Sequence, residues 1–168
     1  MEIETIAARV RELLHYDPST GAFTRRVRTA QRHQVGDRAD FIVTGGGLKG
    51  YCRISFDSTR YLAHRLAWLY VHGRWPEFDI DHVNGIKNDN RIANLRDIPN
   101  ALNRQNIRGP RADNAISGIL GVTRHKKKWR SRIQINSRTV NLGCFDSAQD
   151  AKNAYLKAKR LLHAGCTI

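Results

Sequence analysis

The chain of 168 residues is poor in cysteine: Cys52, Cys144 and Cys166 are all it has. An odd number with no CxxC pair excludes a disulfide framework and a four-cysteine zinc site, so plain reduced thiols are expected. Long apolar runs are also missing. The longest, Leu66-Ala67-Trp68-Leu69-Tyr70-Val71, is far below the roughly 20 residues that span a bilayer. No basic amphipathic helix with a wide apolar face offers itself to a membrane surface. Met1-Glu2-Ile3-Glu4 is acidic and has no signal-peptide core, so a soluble intracellular protein is expected. Gly45-Gly46-Gly47 lacks the Walker pattern and reads as a loop tip, not a phosphate cradle.

Acidic residues are the scarcest in the last third. Residues 104–168 hold 14 Lys and Arg against 3 Asp and Glu, whereas residues 1–103 hold 15 against 12. The formal net charge of +14 points to a polyanionic partner, and nucleic acid is the commonest. Hydrophobic residues make up 40%, enough for one ordinary domain or two small ones.

Periodicity suggests an α+β chain. Ile6, Val10, Leu13 and Leu14 are spaced for a short helix. A turn at Asp17–Gly21 leads into a strand near Ala22–Arg26. Tyr51–Phe56 and Arg60–Leu62 flank a hairpin turn, and His64–His72 reads as a helix stopped by Gly73. Short strands fit Ile80–Val83 and Leu95–Ile98, and Asn100 is placed to cap a following helix. Residues 107–117 contain Gly109-Pro110 and no hydrophobic period, as a linker would. From Gly118 the order is strand, strand, strand, helix. That helix starts at Ser147 with Asp150 three residues on, and its apolar stripe is Ala151, Ala154, Tyr155, Ala158, Leu161 and Leu162.

Between Phe78 and Asn106 the chain is dense in Asp, His and Asn. Hydrolysis of a phosphodiester needs a water nucleophile, a base and a cation for the developing charge. Asp81 offers a hard oxygen. His82 offers an imidazole whose ordinary pKa leaves it largely neutral near pH 7. Asn103, in the first turn of the next helix, offers either a second, neutral oxygen or only an ordinary helix residue. Asp79 shares a strand face with Asp81 and is expected to be solvated. His64 opens an apolar helix and is expected to be buried or capping.

The ordered string His64-Arg65-Leu66-Ala67-Trp68, Asp81-His82-Val83-Asn84-Gly85, Asn90-Arg91-Ile92-Ala93-Asn94-Leu95-Arg96 and Asn103 resembles phage-type HNH homing endonucleases over residues 60–107. The resemblance implies a ββα-metal core with one divalent ion. It implies that His82 activates water, that Asp81 and Asn103 hold the metal, and that Asn94 stabilises the inter-strand loop of the catalytic centre. An Asn at the last motif position favours Mg²⁺ or Mn²⁺ over zinc, and no structural zinc is expected. The family leaves 3′-hydroxyl and 5′-phosphate ends, and its setting implies the cytoplasm of a bacterial host.

In the C-terminal third, Lys126–Ile135 alternates with period two. Trp129, Ser131, Ile133 and Ile135 point one way, and Lys128, Arg130, Arg132 and Gln134 the other. Thr139 and Asn141 continue the polar face on the next strand, while Val140 and Leu142 are expected inward. With Arg124, Lys126 and Lys127 these polar residues form a candidate DNA face. Arg can read guanine edges, Gln adenine edges, and Lys tends to serve phosphates. Gly118–Val122, Trp129, Leu142–Asp146 and Ala148–Ala158 resemble the DNA-binding domain of plant ethylene-response factors, although Thr139 and Asn141 stand where that family usually has Arg and Trp.

The expected organisation is therefore a set of β-hairpins and an HNH nuclease domain over residues 1–107 and a linker over 108–117. Residues 118–168 follow as a three-stranded antiparallel sheet with one packed helix. The expected activity is metal-dependent cleavage of double-stranded DNA by a homing endonuclease, one strand per active site. The alternative is a non-catalytic DNA-binding regulator with a relic HNH lobe. No protein partner is readable.

Overall fold

The computed structural model describes residues 3–107, 109–110 and 117–168. The expected linker over 108–117 lies largely outside the described residues. No helix among the described residues is long and apolar enough to cross a membrane. The chain divides into two compact units, Met1–Pro99 and Asn100–Ile168, and each is described by itself.

The first unit opens with helix α1 (Ile3–Leu13), which runs directly into strand β1 (Leu14–Asp17). Ala7, Val10 and Leu13 recur at helical spacing and are buried. β1 pairs antiparallel with β2 (Ala22–Arg25). The turn between them is knotted by Asp17, whose carboxylate accepts from Ser19 N, Ser19 Oγ and Thr20 Oγ1. These bonds hold the Asp17 carboxyl down at about 2. A three-stranded antiparallel sheet follows, with β4 (Cys52–Phe56) between β3 (Phe41–Ile42) and β5 (Thr59–Leu62). Asp57 and Ser58 connect β4 to β5 with φ of 46° and 59°, the backbone of a two-residue hairpin turn. The triple glycine is a short 3₁₀ turn over Gly46–Leu48.

Helix α2 (Ala63–His72) ends at Gly73, and it buries Leu66, Ala67 and Leu69 completely. One hydrophobic core joins α1, the β1–β2 hairpin, α2 and Ile80 and Leu95 of the last hairpin. Tyr16, Phe23 and Tyr70 meet ring to ring in it, with centroids 4.8–6.3 Å apart. That last hairpin is β6 (Asp79–His82) paired with β7 (Leu95–Ile98), in the register Asp79↔Ile98, Ile80↔Asp97, Asp81↔Arg96 and His82↔Leu95.

The second unit begins with a short helix α3 (Asn100–Asn103), tightened into a 3₁₀ turn over Arg104–Asn106. Its partners come from the far end of the chain. Gln105 Oε1 accepts from Gly165 N at 2.9 Å, Thr167 bonds Asn106, and the Lys159 ammonium donates to Ile107 O. The sheet is a meander of β8 (Val122–His125), β9 (Lys128–Ile135) and β10 (Arg138–Phe145), with helix α4 (Ala148–Leu162) packed on it. Ser147 caps α4, its hydroxyl accepting from Asp150 N at 3.0 Å. Val122, Ser131, Ile133, Ala151 and Tyr155 fill the interface. Gly121 is needed at its position: a Cβ there would stand 2.1 Å from the Tyr155 ring, and its φ is +74°.

Two expectations about this unit are corrected, the inward faces of Leu161 and Leu162 and of Val140, while Leu142 is half-buried at an irregularity. Leu161 and Leu162 are 75% and 49% exposed, and the side that continues Ala151 and Tyr155 is completed by buried Lys159. At steps of four the inward face runs 151, 155, 159, and Ile107 O receives the ammonium. Leu142 has no cross-strand partner, because a β-bulge shifts the register between Asn141 and Gly143. Val140, although opposite buried Ile133, is 39% exposed.

Candidate active site and nucleic-acid face

Asp81 and His82 close strand β6 and are almost fully enclosed, at 7% and 5% exposure. Directly across the hairpin, Arg96 donates from Nε to Asp81 Oδ2 at 2.8 Å, and its Nη2 lies 2.8 Å from the same oxygen. The carboxylate is thus balanced by a guanidinium on the neighbouring strand. Asp79 is two residues back, half-buried.

The loop from Val83 to Asn94 is built by side-chain amides. Asn94 Oδ1 accepts from Asn84 N at 2.9 Å, and Asn94 Nδ2 donates to Asn84 Oδ1 at 3.0 Å and Asp89 O at 2.8 Å. Its backbone carbonyl also takes Val83 N at 2.9 Å. One residue therefore staples both ends of the loop, a structural contribution to the site. Asp89 extends the network to Asn84 Nδ2 and Arg91, and the Arg91 guanidinium foremost brings the Asp89 carboxyl down to about 2.

His82 sits in a pocket of rings. Its centroid is 5.2 Å from His64, edge-on at 84°, and 5.9 Å from Tyr51, over which Lys87 Nζ lies at 4.8 Å. Burial foremost pulls the His82 pKa below the ordinary imidazole value, against opposing contributions from Asn90 and Asp81. His64, expected as a buried residue, is 5% exposed and held down at about 3 by burial and then by His82 and Arg65. A neutral imidazole carries a lone pair able to take a proton from water.

Sequence reasoning missed Asn90 as a contact of this histidine. Asn90 is 1% exposed, with Oδ1 3.2 Å from His82 Nε2. With the carbonyl accepting, His82 donates from Nε2 and its basic lone pair is on Nδ1. Asn90 is fixed in turn by the N-terminal hairpin. The Tyr16 hydroxyl donates to Asn90 O at 2.7 Å. Gly21, with φ +74°, lies so close that a Cβ would stand 2.4 Å from the Asn90 and Arg91 backbone. Local sequence carries no signal for such a contact beyond the crowding of asparagines.

Asn103, the other expected metal ligand, is the last residue of α3 in the second unit. Among the described residues no three His, Cys, Asp or Glu side chains gather as a metal site. Within the first unit the donor is the Asp81 carboxylate, a hard ligand of the kind that suits a divalent ion keeping several waters.

The sheet of the second unit assembles most of the expected DNA face. Asn141 stands opposite Arg132, Thr139 opposite Gln134, and Cys144 and Thr123 flank Arg130. Arg132, Gln134, Thr139 and Asn141 are exposed, whereas Ser131 and Ile133 between them are buried. A shallow cleft is lined by Gly121, Thr123, Arg132, Ile133, Gln134 and Thr139. Lys126 and Lys127 form the β8–β9 turn, and Lys128 pairs with Asp146 at 3.1 Å. Arg124 stands apart: it lies opposite Trp129, with its guanidinium 4.9 Å from the indole centre, on the other register parity from Arg130 and Arg132.

Residues 61–105 match the family model of HNH endonucleases. The match runs from β5 through α3 and contains Asp81, His82, Asn94 and Asn103; it supports a nuclease acting on nucleic acid. No curated protein and no solved structure matches the chain significantly.

Proposed function

We propose that the protein is a metal-dependent DNA endonuclease of the homing type that hydrolyses phosphodiester bonds in double-stranded DNA, one strand per active site. The observation that carries this reading is the enclosed, neutral His82, oriented by Asn90 and adjacent to Asp81, inside the HNH-matched segment. His82 takes the proton of the attacking water, and Asn94 holds the loop that presents it. Asp81 and Asn103 are the residues that would hold a Mg²⁺ or Mn²⁺ ion, which when bound supplies positive charge for the oxygen anions of the reacting phosphate. The polar face carrying Arg130, Arg132, Gln134, Thr139 and Asn141, with Lys126, Lys127 and Lys128 at its margin, is the reading surface, and Arg124 adds its charge from the opposite parity of the sheet. In this proposal residues 1–107 cut, 108–117 link and 118–168 read.

His82→Ala tests it. The variant should bind duplex DNA as the wild type does and cleave about 10² to 10⁴ times more slowly, the usual contribution of a general base. Equal loss of binding and cutting would make His82 a structural residue.

A further inference from the structure

We propose that the loop over Arg25–Arg38 is a second DNA-contacting surface, which grips the phosphate backbone of the duplex beside the cutting centre. This rests on the nuclease reading above. The segment holds Arg25, Arg26, Arg28, Arg32 and Arg38 against the single acid Asp37. Its basic charge is separate from the C-terminal sheet and belongs to the first unit.

The loop is built rather than loose. Its neck is closed by Arg25 N donating to Asp37 O and Gly36 N to Arg25 O, both 2.8 Å, and by a bridge between Thr24 and Arg38. His33 N donates to Ala30 O at 3.0 Å, Gln34 N to Asp37 Oδ2 at 2.8 Å, and Thr29 Oγ1 bonds His33 Nδ1 at 2.9 Å. Ends this close, with internal bonds, define a compact surface loop of the kind that often carries function.

Three of its arginines are held in place without being neutralised. Arg38 pairs with buried Asp40, but among the described residues Arg25, Arg26, Arg28 and Arg32 have no carboxylate within 4.0 Å. Arg26 donates to Arg11 O, Arg28 to Ala30 O and Gln31 O, and Arg25 to Thr29 Oγ1. A carbonyl or hydroxyl fixes a guanidinium while leaving its charge intact, so part of the ordering cost of binding an anion is met in advance. Arg26, Arg28 and Arg32 are exposed. A row of such cations suits the regularly spaced phosphates of a DNA strand.

Position supports the same partner. β2 starts beside Gly21, which packs on the Asn90 backbone, and Asn90 bonds His82. The four residues of β2 then span roughly 13 Å to the neck of the loop, about four base-pair steps of duplex.

The test uses the full-length chain and a short fluorescein-labelled duplex of arbitrary sequence, titrated over a range of NaCl concentrations. Arg28→Gln with Arg32→Gln should flatten the slope of log affinity against log salt by roughly 1.8, at about 0.9 per lost phosphate contact. Arg28→Lys with Arg32→Lys should restore most of it. Lys152→Gln with Lys157→Gln, on exposed positions of α4, removes the same charge elsewhere and should leave the slope as it was. A steep wild-type slope that the Gln pair leaves unchanged overturns this proposal and spares the nuclease reading. A wild-type chain with no salt-dependent duplex affinity overturns both.

Discussion

The β6–β7 hairpin and the β8–β10 sheet handle polar residues in opposite ways. In the hairpin, Asp81, His82, Asn90 and Asn94 are enclosed and aimed at named partners. On the sheet, Arg132, Gln134, Thr139 and Asn141 stand in solvent around a shallow cleft. Proton transfer needs a group whose position and protonation state are settled before substrate arrives, and enclosure provides both. Reading a duplex needs exposed donors that a groove can meet, and enclosure would destroy them. The histidines show the contrast. Burial foremost holds His82 down and Lys87 adds to it, whereas His125, partly desolvated, is also pulled down by Arg130, Lys126 and Arg132.

The sharpest way to break this contrast is to remove the oxygens proposed to hold the metal, Asp81 of the hairpin and Asn103 of α3. Asp81→Ala or Asn103→Ala should raise the Mg²⁺ or Mn²⁺ concentration for half-maximal cleavage by at least about tenfold, since even outer-sphere partners of a metal are worth 10- to 100-fold. Unchanged metal titrations for both variants would remove them as ligands. A smaller effect is expected on the sheet. Arg132→Ala and Gln134→Ala should relax preference at particular base pairs by about 1–3 kcal/mol, whereas Lys127→Ala weakens binding to all sequences alike. Selection from a randomised duplex pool measures this, and identical selected sequences for all three variants and the wild type would contradict it.

A further effect is on stability and its pH dependence. His64 has a folded pKa of about 3 and an unfolded one near 6.5. Between those values the unfolded chain binds a proton that the folded chain refuses. Its contribution is therefore complete above about pH 6.5 and is lost on acidification, by up to about 1.4 kcal/mol per pH unit. The unfolding midpoint of His64→Gln should fall less steeply from pH 7 to pH 4.5 than that of the wild type; parallel curves would refute the assignment.

The features legible in the sequence were those that chemistry fixes locally. Ser147 with Asp150 marks a helix start because the cap bond spans three residues, and Asp57-Ser58 marks a tight turn. Asn94 was legible as a loop staple because asparagine satisfies nearby backbone groups. Asn90 was not, since its meeting with His82 depends on Tyr16 and Gly21, some seventy residues earlier in the chain. The bulge at Leu142 flips alternation after Asn141, and period-two reasoning cannot see an extra residue. Lys159 reads as a surface residue by type, and only the carbonyl of Ile107 explains its burial. The start of β1 was hidden because Leu13 and Leu14 prolong the helical spacing of α1 while the backbone has already turned to strand.

The central claim is tested most directly by incubating the full-length protein with supercoiled plasmid in Mg²⁺ or Mn²⁺, with an EDTA control. The account predicts nicked circles with either ion, none with EDTA, and an unfolding midpoint that EDTA does not move, because no structural metal is assigned. Duplex binding at low salt with no nicking in either ion would contradict it, and would make the protein a DNA-binding regulator with a silent HNH hairpin.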